Sequence, residues 1–310
     1  MKRIVFALAL FCSAAIYAQT AGRGLQFDLG TEPDENGNES YGMIQYGWND
    51  KISSRIDLKY TSIHKTEYEI KGYEHATDVS KSKIFEISFL PVIKYFGEKN
   101  NFSVGAGLSY QYNNEKEKAG MVDANGLMLN KGDEGKYFTM NHNKTAHFFA
   151  PRLSFTALFP FGEHFSFNFE SFLHPIYLVR LKQDMNYHAD QTAEPFDFSG
   201  EDSLFRVSAP YIFTKISFDI FNYIRFLAQF SYQRLNFRQM DWTADFNRLE
   251  GKDDVQNMTT FRIGLEFLTS KNLKARVRGG IYRQIEWNNS TYRNNTETES
   301  KWIVSFGTEM

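Results

Sequence analysis

Five basic side chains and one acid in the last third of the chain are the residues best placed to do chemistry. Lys274, Arg276 and Arg278 alternate along one segment, Arg262 and Glu266 stand four apart on the segment before it, and Arg225 lies on the segment before that. If the three segments are neighbouring extended strands, roughly 4.8 Å apart, all six side chains share one face and touch. Such a wall attracts anionic solutes, as rings of Arg and Lys do in selective pores. The alternative is a neutralised interior. Asp57, Glu86, Glu170, Glu266 and Glu286 have the matching parity on their own segments and can pair with the same bases.

The elements that must hold these residues are strands. From Leu273 to Trp287, Leu273, Ala275, Val277, Gly279, Ile281 and Ile285 occupy one parity and Lys274, Arg276, Arg278, Tyr282, Gln284 and Glu286 the other, interrupted only by Arg283. Period two over that length is a strand with an apolar and a charged face, longer than the usual 5 or 6 residues of a soluble sheet (mode about 5–6). Phe261 to Phe267, Phe165 to Tyr177, Phe85 to Tyr95 and Phe102 to Tyr112 read the same way. Twelve such segments appear, at 23–30, 41–48, 52–71, 80–97, 102–116, 144–161, 165–184, 202–220, 224–242, 256–269, 273–288 and 298–309.

Their connections alternate in length. Short polar turns fall at Asn49–Lys51, Gly97–Asn101, Gly162–His164, Phe221–Tyr223 and Ser270–Asn272; longer loops fall at 31–40, 72–79, 117–143, 185–201, 243–255 and 289–297. Sorting turns to one side and loops to the other predicts an all-β fold: a closed up-and-down antiparallel transmembrane β-barrel of about 12 strands, with both termini periplasmic. A mean hydropathy of −0.46 does not oppose this, because a barrel wall needs an apolar residue only at every second position. The 30 Phe and 17 Tyr supply the two aromatic girdles such a wall requires.

Residues 1–18 read as a secretory signal peptide: Lys2 and Arg3, an apolar run from Ile4 to Phe11, and small residues ending at Ala18. That leaves 19–310 as one domain, without the single cysteine, Cys12, and with a net charge changed from −2 to −4 by losing two bases. Nothing in that balance suggests nucleic acid.

The last segment places Trp302, Val304, Phe306, Thr308 and Met310 on one parity. It resembles the C-terminal signal of bacterial outer-membrane β-barrel proteins, although Met310 replaces the terminal aromatic. The resemblance covers 19–310 as an architecture and implies a bacterial outer-membrane location, lipid around the wall and recognition of the last strand by the barrel-assembly machinery. It implies no cofactor.

Other chemistries are weaker. Outer-membrane phospholipases of twelve strands carry an outward Ser and His near the outer leaflet; here the only H-x-S, His164 with Ser166, adjoins a short turn, and His64 with Thr66 offers an odd nucleophile. Neither G-x-S-x-G nor H-E-x-x-H occurs. His142 and His147 are too few for a metal site, and His174 reads as a hydrogen-bonded lumen residue. Pro91, Pro151, Pro175 and Pro210 inside strands predict bulges, as do apparent parity switches at Phe213–Ile216 and Tyr232–Leu235. Only Tyr282 reads as an aromatic on the lumen parity. Asp123, Asp133 and Glu134, in the loop 117–143, either fold inward against the basic wall or stay outside. The leading expectation is a channel for passive or weakly selective passage of small solutes, anionic ones in particular. A closed barrel whose loops bind ligands is the alternative, and an outer-membrane lipid-modifying enzyme the third.

Overall fold

A computed structural model describes residues 25–34, 36–68, 76–97, 101–122, 138–161, 165–189, 196–208, 211–220, 223–238, 253–269, 276–290 and 295–309. The segment 1–24, and with it the expected signal peptide, lies outside them. The described residues contain no helix and form fourteen strands: β1 (Leu25–Asp34), β2 (Gly37–Asn49), β3 (Ile52–Tyr68), β4 (Ala76–Phe96), β5 (Phe102–Met121), β6 (Phe138–Phe161), β7 (Phe165–His174), β8 (Tyr177–Ala189), β9 (Phe196–Ser208), β10 (Tyr211–Ile220), β11 (Ile224–Arg238), β12 (Asp253–Leu268), β13 (Arg276–Ser290) and β14 (Asn295–Glu309).

All pairings are antiparallel, and the ring closes between β5 and β6 and between β1 and β14. β6 pairs with β7 along its second half and with β8 along its first, while β7 pairs with β10 and β8 with β9. Each of these couples is therefore one stave of the wall in two pieces, and the closed barrel has twelve. The break in the first couple is at Pro175 and Ile176. There β6 steps from Phe149 to Leu153 while its partner steps from Leu178 to Leu173, so the broken stave carries one extra residue. A proline has no N–H for the ladder, which is why the break falls there.

The outward face is apolar: Leu108 is 69% exposed, Phe161 59%, Phe267 56% and Trp302 66%. Such side chains ring the wall, as lipid contact requires. No helix among the described residues is long and apolar enough to cross a membrane; the strands do so.

Several expected details differ. The segment 31–40 is no loop: β1 and β2 pair as far as Asp34↔Gly37. The ladder of β5 with β6 likewise reaches Gly120↔Thr139, leaving Asp123, Asp133 and Glu134 outside the described residues. The bulge expected at Pro91 is present, as a register shift between Phe89 and Val92 that makes Leu90–Pro91 the extra step, but its effect on the following side chains differs from the sequence reading. It turns Ile93 and Tyr95 inward, where Tyr95 meets Gln45 and Ser53, and sends Lys94 out beside Phe96. The expected bulges at 213–216 and 232–235 are absent: β10 and β11 stay in continuous register. Phe213 simply faces the lumen, joined there by Tyr41, Phe172 and Tyr211, so Tyr282 is not alone. Pro151 pairs in unbroken register with Leu108 of β5, and Pro210 lies outside the described residues.

Candidate functional site

The inward side chains form a charged lumen. Within the expected basic wall, Arg225 Nε lies 2.7 Å from Asp219 Oδ1 and its Nη1 3.2 Å from Glu266 Oε2. Arg278 Nη2 is 2.7 Å from Asp28 Oδ1 and donates to the Tyr41 hydroxyl at 2.6 Å, with its Nε 3.7 Å from Glu266 Oε1. Glu266 thus bridges Arg225 and Arg278, and Tyr282 donates to it at 2.6 Å. Arg262 is 2.8 Å from Glu32 and donates to Gln284. Arg276 lines a lower chamber near the short turns, and Lys274 lies outside the described residues.

Of the five expected acidic partners, Glu266 meets this wall directly. Asp57 and Glu170 belong to a second cluster across the lumen, where Arg55 contacts both at 2.7 and 2.9 Å and Arg152 reaches Asp57 at 2.9 Å. Arg152 is buried with its guanidinium 4.2 Å from the centroid of Phe172, which stacks on Phe213 at 4.7 Å. Glu86 stands opposite Lys59, whose ammonium is 3.0 Å from Glu39. Glu286 accepts a hydrogen bond from Gln284.

Sequence reasoning missed Asp28, Glu32, Glu39, Asp219, Arg55, Lys59, Arg152 and Lys215. Their parity is readable in the sequence, yet Glu32 and Glu39 fall in the polar segment 31–40, which reads as a loop. The pairing of β1 with β13 side chains across β14 also depends on how the ring closes.

Two cavities stand out among the described residues. A cavity of about 420 Å³ lies at mid-height, lined by both clusters, and one of about 320 Å³ lies below it, lined by Leu158, Ser166, Asn168, Asp219, Arg225 and Arg276 among others. Glu170 and Lys215, opposite each other on β7 and β10, line both. Six basic groups and eight carboxylates line the mid-height cavity, a formal balance of −2 with all ionised.

The other expected chemistries are not assembled. His142 and His147 are five residues apart on one strand and so face opposite sides: His142 meets Glu117 at 3.5 Å and His147 the hydroxyl of Tyr110 at 2.9 Å. No group of three metal-ligating side chains occurs among the described residues. His174 is buried against Ser109 at 3.2 Å. His64 and Thr66 are exposed beyond the apolar band, opposite Lys81 and Val79. Ser166 lies in the lower chamber, away from lipid.

No protein-family model matches the chain, and no curated protein matches it. Among solved structures it is similar to the translocator domain of the autotransporter NalP from Neisseria meningitidis, at 12% identity and TM-score 0.47, covering 99% of this chain and 94% of that one. It is also similar to CarO from Acinetobacter baumannii, at 12% identity and TM-score 0.27 over 65% of this chain and 98% of that one. The outer membrane protease OmpT from Escherichia coli follows at 9% identity and TM-score 0.33, over 92% and 90% of the respective chains.

Proposed function

We propose that this bacterial outer-membrane β-barrel is a narrow, weakly selective channel for small polar solutes. The observation that carries the reading is the pair of adjacent chambers, about 420 and 320 Å³, lined by charges of both signs and sharing Glu170 and Lys215. Twelve strands stand between the eight that side chains fill and the 16 to 18 that leave an open pore. The lining favours solutes that exchange hydration for contacts of both signs, zwitterions among them, over a strict anion filter. Arg225, Arg262 and Arg278 have carboxylate partners, so the basic wall (with Arg276 and Lys274) contributes less anion attraction than bare guanidinium groups would.

The test is conductance of the refolded protein in planar bilayers under a salt gradient. Small steady steps with a reversal potential near zero support the reading. K215Q then shifts selectivity toward cations and E170Q toward anions, since both groups line both chambers. A folded barrel without conductance overturns it and leaves ligand binding by the loops.

A further inference from the structure

The outer surface carries a second, separately built electrostatic feature. On β4, the lipid-facing parity passes from Phe89 and Phe85 to Lys83 and Lys81; on β5 it passes from Leu108 and Tyr112 through Asn114 to Lys116 and Lys118. The ladder is continuous from Ala76↔Met121 to Phe89↔Leu108, so these four exposed lysines share the outward face. Lys81 stands directly opposite Lys116, Lys83 opposite Asn114 and Lys118 opposite Val79; exposed His64 flanks Lys81 on β3. The outward positions of β6 beside them, Asn141, Asn143 and Thr145, are uncharged.

The acids of the same strands all point the other way. Asp78, Glu115 and Glu117 have inward parity, where Glu115 and Glu117 find Lys144 and His142. Bases outward and acids inward, on strands that extend past the membrane, leave Lys81 and Lys116 side by side with no carboxylate among the described outward positions of β3 to β6; the outward acid beyond them, Asp184 on β8, lies on the far side of Asn143 and meets Lys182 at 3.7 Å. Like charges directly opposite each other on a sheet destabilise it, so the arrangement calls for an anion from outside.

Position identifies that anion. Lys83 is two residues, or about 6.6 Å along the strand, above Phe85, and Tyr60 and Tyr112 mark the same girdle. Aromatic girdles lie at the hydrocarbon–water boundary, which places Lys83 at the start of the headgroup layer on the long-loop side and Lys81, Lys116 and Lys118, four to six residues or about 13 to 20 Å along the tilted strands above the girdle, toward its outer part. We infer that Lys81, Lys83, Lys116 and Lys118 bind the phosphate-bearing headgroups of lipids in the outer leaflet, tying this side of the barrel to an anionic lipid shell. The inference is independent of whether the lumen conducts.

Native mass spectrometry of the detergent-solubilised full barrel with diphosphorylated lipid A, and with the same lipid stripped of its phosphates, tests it. The wild type is expected to retain the diphosphorylated lipid at least about tenfold better, K81Q/K83Q/K116Q/K118Q to lose that preference, and the fourfold Lys→Arg variant to keep it. Heat-modifiable migration on gels verifies folding, and K81Q/K116Q serves if the fourfold glutamine variant does not fold. Equal retention of both lipids, or an unchanged preference in the glutamine variants, overturns the inference. Binding of polyglutamate but not of lipid overturns it in favour of a soluble acidic partner.

Discussion

Arg278 on β13 reaches across β14 to Asp28 on β1, two donors on one carboxylate at 2.7 and 3.0 Å, and so ties together the two ends of the barrel wall. Among the described residues the backbone seam it reinforces is short: Asp28↔Glu309 to Thr31↔Phe306 pair, against fifteen pairs between β13 and β14. Arg262 adds a second tie above it, to Glu32. Arg278 is 1% exposed and its other acidic partner, Glu266, 3%, so loss of the arginine leaves Asp28 without its guanidinium and the buried Glu266 short of one, at a cost of about 3 to 5 kcal/mol. R278M is therefore expected to lower the midpoint of urea unfolding strongly, and D28N/R278M to recover a good part of the loss. A double variant no more stable than R278M would show that the contact does not hold the seam.

The same tie explains a glycine. A Cβ on Gly307 would sit 2.5 Å from the Leu29 carbonyl oxygen and 2.9 Å from Arg278 Nη2, whereas one on Gly279 would meet nothing within 4 Å. G307A is expected to destabilise by about 1 to 3 kcal/mol, as overpacking does, and G279A to be close to neutral. Gel migration after graded heating compares the two; equal behaviour would mean the arginine passes over β14 with room to spare.

These contacts mark where sequence reading stops. Period two places Arg225, Arg262, Arg276 and Arg278 on one face because alternation is local, and the twelve staves follow from the same periodicity. Arg278–Asp28 is not local. Its partners are 250 residues apart and meet only because the ring closes in one register. Ile93 and Tyr95 read as outward in the sequence and face inward in the barrel for a different reason: one extra residue at Leu90–Pro91 inverts every side chain after it. Phe213 looks lipid-facing by composition, yet ring stacking on Phe172 and the charge of Arg152 give an aromatic a reason to be inside.

Beyond the bilayer, the extension of β5 and β6 is expected to depend on pH through Glu117. Above Tyr112 the outward face turns polar, so Glu117 lies outside the membrane-spanning part of β5. The hydrogen bond from His142 is the main cause that holds its carboxyl below the ordinary value of 4.5, with lesser help from Asp78 and Lys144 and against partial burial. A depressed carboxyl stabilises the fold fully above its unfolded value and loses that contribution as pH falls through the folded one. Amide hydrogen exchange across the upper β5–β6 ladder is thus expected to accelerate below about pH 4.5 while the membrane-level ladder stays protected. In E117Q the acceleration should be blunted and exchange at neutral pH raised to meet it. An unchanged acid response in E117Q would assign the opening to other groups, with Glu115 and its 4.0 Å contact to Lys144 the next to replace.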